Sequence, residues 1–176
     1  PHWVDGSLFG RDDKEARSRI RMQYGWGDRF VVLFAGNMGL VQGLDTVLEA
    51  AKELRFREDI VIVFIGDGAD KRRLQELAEL WGLKRTVQFI DRQPFGQIPV
   101  FMQAADILLV HLKRAELARY VIPGKTLAYL AAGRPILMAM DGAAGDLLKE
   151  AGGGWSFRLR IRVNWQTRSE RCARCL

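Results

Sequence analysis

Five short runs of apolar residues, each closed by glycines or polar side chains, set the rhythm of this chain at residues 31–35, 60–65, 86–90, 106–110 and 135–140. Apart from Thr86, Gln88 and Asp106 they are apolar instead of alternating with polar positions, which predicts strands covered on both faces. Between them the period changes to that of a helix. Leu44, Val47, Leu48, Ala51 and Leu54 fall on one face of a helix over 44–55, and Leu74, Leu77, Ala78 and Trp81 repeat the pattern after Asp70, a candidate cap. A short helix is expected over 98–105, with Pro99 tolerated in its first turn, another from Pro123 or Gly124 to Ala132, and a last one over 142–150 that stops at the glycines 152–154. Ahead of the first strand, residues 11–24 predict a short charged helix, and Gly25, Trp26, Gly27 and Asp28 a turn.

Strands that alternate with helices across short loops predict an α/β fold, a parallel sheet with helices on both faces. Ligands of such sheets sit outside the carboxyl ends of the strands, where the strand order reverses. That directs attention to the loops after Ala35, Ile65, Ile90 and Val110, and to the helix start near Gly124. The first of these loops is rich in glycine: Gly36, Asn37, Met38 and Gly39, then Gly43. Its backbone can approach a ligand closely, and the first-turn N–H groups of a helix following at once would favour a phosphate or carboxylate there.

Length and composition sharpen this picture modestly. With 176 residues and 48% apolar content, the chain suits one well-cored domain, assigned to residues 1–155, and contains no apolar run long enough to cross a membrane. The start, Pro1-His2-Trp3-Val4-Asp5, has no signal-peptide pattern and no initiating Met, as expected of a piece of a longer chain. The net charge of +6 suggests nucleic acid, but residues 156–176 hold six arginines and a single glutamate, so five of those charges belong to the tail and no nucleic-acid partner is assigned. In that tail residues 157–163 alternate as a half-exposed strand would, whereas 164–176 show no core pattern and read as disordered or artefactual. Cys172 and Cys175, the only cysteines, make a lone CxxC with no second pair and only His2 and His111 elsewhere; no metal site is assigned, and a cysteine-free body suits a reducing compartment.

Three stretches, in order and in register, resemble a known family: residues 34–43 (FAGNMGLVQG), 64–69 (FIGDGA) and 122–135 (IPGKTLAYLAAGRP). They are similar to the C-terminal half of glycosyltransferases of the GT-B fold, closest to family 4, whose members retain anomeric configuration, and within it to bacterial enzymes of surface polysaccharide and capsule. The resemblance covers roughly residues 1–155. It implies a Rossmann-like domain that holds a nucleotide sugar, UDP-sugar favoured over GDP-sugar, without a metal or other cofactor. It further implies a saccharide or lipid-linked acceptor held by an N-terminal domain missing here, and a cytoplasmic enzyme, with peripheral association at the inner face of the membrane. The fragment alone would be inactive.

The implied nucleotide-sugar site comprises Gly36, Asn37, Met38, Gly39, Gly66, Gly68, Arg92, His111, Gly124, Lys125 and Thr126. No catalytic residue is assigned. Many relatives carry an Arg and a Lys at the places of Asn37 and Gln42; both are uncharged here, so the phosphate charge falls to Lys125 and the helix start at Gly124. Arg92 either reaches base and phosphates or lies on the surface, His111 is a candidate for a sugar hydroxyl, and Asp67 is a cap. The pattern departs from the family at Ala128 and Tyr120, where an E-x7-E glutamate pair is expected, the second of which binds the donor ribose in relatives. Two alternatives stay open: a nucleotide-sugar 2-epimerase-like enzyme, which needs histidine and carboxylates as acid and base, and a non-catalytic nucleotide-binding module.

Overall fold

The structure, a computed structural model, describes residues 13–113, 120–140 and 142–156. Six parallel strands, β1 (Phe30–Ala35), β2 (Ile60–Ile65), β3 (Val87–Ile90), β4 (Ile107–His111), β5 (Ile136–Ala139) and β6 (Gly154–Ser156), lie in the order β3-β2-β1-β4-β5-β6. Helices α1 (Lys14–Gln23), α4 (Ile98–Ala104), α5 (Gly124–Ala131) and α6 (Ala143–Glu150) pack on one face, and α2 (Leu44–Glu53) and α3 (Lys71–Leu80) on the other. The Rossmann-like α/β fold expected from the apolar runs is therefore present.

Each central strand feeds both cores. Val31, Leu33 and Ala35 of β1 join Val61, Val63 and Ile65 of β2 on the first face, while Val32 and Phe34 join Ile60, Ile62 and Phe64 on the second. That explains why polar alternation is missing. Phe34, Phe64 and Phe89 form an aromatic row across the second face, with centroids 6.0 and 5.2 Å apart. Trp26, expected only in a turn, is fully buried against Phe101 and Tyr24, and its indole N–H donates to Gln88 Oε1 at 2.7 Å.

Several local expectations are corrected. The glycine-rich turn does not run straight into a helix: a 3-10 turn, Leu40–Gln42, and the left-handed Gly43 intervene, so the start of α2 lies apart from residues 36–39. Asp70 stands at the start of α3 but caps no N–H, because its carboxylate is drawn to Arg73 at 2.6 Å, which holds its pKa below the ordinary value. His111 belongs to β4 instead of following it. Residues 154–156, expected to lie beyond the last element, pair with β5 as an edge strand too short to show a pattern. The expected strand and tail over 157–176 lie outside the described residues, as do residues 1–12.

The feature that positions the site is where β1 and β4 part. Along its whole length β1 pairs with β2, but with β4 only at Val32–Ile107 and Leu33–Leu108. Beyond that point Tyr129 of α5 takes over. Its hydroxyl accepts from the Ala35 N–H at 2.8 Å and donates to the Ala35 carbonyl at 3.2 Å. Burial pushes the phenol's pKa up, so the hydroxyl keeps the proton it donates. Tyr129→Phe is expected to orphan both groups of Ala35 and lower stability by about 2 kcal/mol or more. Urea unfolding checks this: the midpoint should fall at unchanged slope, and an unmoved midpoint would remove Tyr129 from this role.

Candidate functional site

A cleft of about 690 Å³ opens at the carboxyl edge of the sheet, beside that parting of β1 and β4. Gly36 and Asn37 line it after β1, Gly66, Asp67 and Gly68 after β2, Arg92, Gln93 and Phe95 after β3, Ile98 and Met102 from α4, and Gly124, Lys125 and Ala128 from α5. Loop glycines make the cleft by letting backbones meet. At Gly66, with φ +139°, a Cβ would lie 2.1 Å from the Gly36 carbonyl oxygen, so the two turns can touch only without side chains.

Lys125 is the central side chain. It stands in the first turn of α5, one turn before Tyr129, and reaches past the end of β1 to the opposite face of the sheet. There its Nζ lies 3.6 Å from the centroid of the Phe34 ring and donates to Gln42 Oε1 at 3.3 Å. Part of the residue is open to solvent, but the amine end is enclosed, and burial lowers its pKa to about 7. No carboxylate among the described residues pairs with it. The first turn of α5 adds the N–H groups of Gly124 and Lys125, which have no acceptor within the helix.

Of the eleven residues expected at the site, seven line this cleft: Gly36, Asn37, Gly66, Gly68, Arg92, Gly124 and Lys125. The other four do not. Met38 is fully buried, its N–H donating to the Asp67 carbonyl and its carbonyl accepting from the Asp70 N–H, so it ties the first turn to the second. Gly39 lies just beyond, next to the Asn37 amide. The Nδ1–H of buried His111 donates to the Gln42 carbonyl, and burial lowers its pKa. Thr126 is fully buried, and its hydroxyl has no partner among the described residues.

Sequence reasoning missed Phe34, Gln42, Phe95, Ile98 and Met102. Phe34 and Met102 read as core, and they are core as well as site. Only Phe95, an aromatic residue in the polar segment that follows the third strand, gave a usable signal in the sequence, and in the structure it is 69% exposed. Ala128 does line the cleft, whereas Tyr120 is exposed and does not. Among the described residues no cluster of three His, Cys, Asp or Glu side chains could hold a metal, and no helix is long and apolar enough to cross a membrane.

The lowered pKa of Lys125 fixes a pH dependence of stability. Between about 7 and the ordinary 10.5 the unfolded chain binds a proton that the folded chain does not, so raising pH through this window favours folding. Lys125→Met is therefore expected to be more stable than the parent at pH 7 by a few kcal/mol, since each tenfold loss of proton affinity on folding is worth about 1.4 kcal/mol. The difference should vanish above pH 10.5, where the amine is neutral in both states. Urea midpoints of the two proteins at a series of pH values measure it; a pH-independent difference would contradict the burial of the amine.

With this geometry established, similarity to known proteins becomes informative. The sequence matches the Glycosyl transferases group 1 family over residues 16–159. It is 34% identical over 134 residues, 76% of this chain and 32% of its relative, to the putative colanic acid biosynthesis glycosyl transferase WcaI of Escherichia coli K12. It is 31% identical over 148 residues, 82% of this chain and 38% of the relative, to a GDP-mannose-dependent α-(1-6)-phosphatidylinositol monomannoside mannosyltransferase of Mycolicibacterium smegmatis. The chain thus spans about a third of the length of these curated relatives. Among solved structures, Anabaena Alr3699/HepE in complex with UDP superposes with a TM-score of 0.77 at 19% identity, covering 98% of this chain and 45% of that one. The C-terminal domain of the group 1 glycosyl transferase LpcC from Francisella tularensis gives 0.72 at 17% identity, covering 98% of this chain and 87% of that domain. The match over most of the chain, on a fold that forms one half of a GT-B architecture, makes this chain a member of the group 1 glycosyl transferases.

Proposed function

We propose that this chain is the donor-binding domain of a retaining glycosyltransferase that moves a sugar from a nucleotide sugar to a saccharide or lipid-linked acceptor. The observation that carries this reading is the enclosed amine of Lys125, set at the start of α5 and opening on a 690 Å³ cleft at the strand-order reversal. The cleft has a polar and an apolar end. Beside the Gly36 backbone it offers the N–H groups of Gly124 and Lys125 and a cation for a diphosphate, and along Arg92, Phe95, Ile98 and Met102 a wall for a nucleobase.

In the transfer, the bond from the anomeric carbon to the β-phosphate oxygen breaks and the acceptor oxygen bonds to that carbon. The acceptor's proton ends on the released diphosphate or in solvent. Negative charge grows on the β-phosphate, where the Lys125 ammonium and the first turn of α5 stabilise it. Asp67 is the one carboxylate among the described residues lining the cleft, so those residues offer no carboxylate pair for a double displacement. The buried, hydrogen-bonded His111 also disfavours an epimerase.

UDP-sugar is the favoured donor over GDP-sugar. The UDP complex of a like-folded structure supports it, and the GDP-mannose dependence of a sequence relative makes GDP-mannose the competitor to test. The acceptor is held by a preceding domain of the whole protein, which works at the cytoplasmic face of the membrane. Ala128 favours the second reading, a non-catalytic binding module, since a methyl group cannot hold a ribose hydroxyl.

Calorimetric titration with UDP-glucose and GDP-mannose is expected to show binding by one series, and silence from both at millimolar concentration would sink the reading. Lys125→Ala should weaken that ligand about 10- to 100-fold, the worth of a charge-assisted hydrogen bond. Ala128→Glu should tighten it about 2- to 10-fold by restoring a neutral one; no gain would mean that the ribose is held elsewhere. A radiolabelled-sugar transfer assay with the whole protein separates enzyme from binding module.

A further inference from the structure

Gln42 touches Lys125 yet does not line the cleft. Its carbonyl is fixed by His111 Nδ1–H, and the neighbouring Val41 carbonyl accepts from the Lys113 N–H at 2.8 Å, so the 3-10 turn is tied to the end of β4 at two points. Its side-chain oxygen is thereby presented to the lysine that enters beside β1. We propose that Gln42 is a positioning residue: its amide oxygen holds the Lys125 amine over Phe34 in the empty cleft, and a diphosphate entering the cleft completes the amine's protonation.

An enclosed amine with one neutral acceptor and an aromatic face has little to compensate a full charge, and a diphosphate supplies two negative charges at the same place. Among the described residues, the other charged and titratable groups around it are His111 across Gln42, Asp45 at the start of α2, Lys113 at the end of β4, Asp67 after β2 and Arg92 after β3, and none of them forms a salt bridge with it. Binding therefore draws one proton from solvent onto Nζ whenever the empty site holds the neutral amine. The diphosphate part of this inference rests on the donor-binding reading; the link between Gln42 and Lys125 does not.

Two variants push in opposite directions. Gln42→Glu supplies a carboxylate and should charge the amine in the empty site, while Gln42→Leu removes the acceptor and should leave it more neutral. With 13Cε-labelled lysine, NMR titration of the ligand-free protein is expected to show Lys125 with a midpoint near 7 in the parent, raised at least tenfold in proton affinity in Gln42→Glu and lowered in Gln42→Leu. Lys125→Met assigns the resonance. Calorimetry with UDP-glucose at pH 7, repeated in buffers of different ionisation enthalpy, should give uptake of about half a proton in the parent, near none in Gln42→Glu and nearer one in Gln42→Leu. UDP-glucose is the probe because its diphosphate, esterified at both ends, does not titrate near neutrality.

An unmoved Lys125 midpoint across the three proteins overturns the positioning role, as does a Lys125 that titrates with the surface lysines. Binding with equal proton uptake in all three overturns the coupling. Shifted midpoints without binding of any nucleotide sugar leave Gln42 as the residue that sets Lys125 and remove the donor reading instead.

Discussion

The Tyr129 hydroxyl on the backbone of Ala35 is the joint on which the rest of the site depends. Where β1 and β4 separate, the N–H and carbonyl of Ala35 lose the ladder partners that continued pairing would have supplied, and an orphaned buried amide is costly. A phenol that both accepts and donates satisfies the two groups at once. Because the phenol comes from α5, the same contact fixes that helix against the end of the sheet. Lys125, one turn earlier, has then only one direction to go.

Close backbone contact completes the arrangement from the other side. The Gly36 N–H donates to the Ile65 carbonyl and the Gly66 N–H to the Ile90 carbonyl, so the loops after the first two strands are each laced to the neighbouring strand. Met38 adds a second tie between those two loops. The cleft floor is thus ladder continued past the ends of the strands, which keeps its N–H groups and carbonyls from collapsing onto a ligand-sized space. Stiffness of this kind holds a cation and an aromatic ring at fixed distance before any ligand arrives.

The strands, both helical layers and the cleft's edge were legible because they follow from local period: apolar runs with no alternation, helical faces between them, glycines at the strand ends. Gly36, Gly66, Gly124 and Lys125 could be placed at one edge from topology alone. Gln42, Phe34 and Tyr129 could not. Their roles arise from pairs 83 to 94 residues apart, Lys125 with Gln42 and Tyr129 with Ala35, which exist only because β1 and β4 part early. Trp26 fails for a related reason, since a turn signature says nothing of Gln88 waiting across the fold, whereas Asp70 fails for a local one, Arg73 three residues on competing for its carboxylate.

The placement of the charge carries a further consequence. A glycine-rich turn with Arg and Lys at the places of Asn37 and Gln42 would carry its cations on the loop, hydrated in the empty state and with little effect on folding. Here one cation is moved inside, onto an aromatic face, where it weakens the empty domain at neutral pH. Such a cost persists when the buried group does something that a hydrated one cannot. In a low-dielectric pocket the attraction between an ammonium and a diphosphate is several times that at the surface, and it grows as charge accumulates on the leaving group. On the proposed donor-binding reading, electrostatics of this form would favour the charged, departing diphosphate over the neutral empty cleft, and the same burial that destabilises the fold would suit Lys125 to the transition state better than a lysine on the loop.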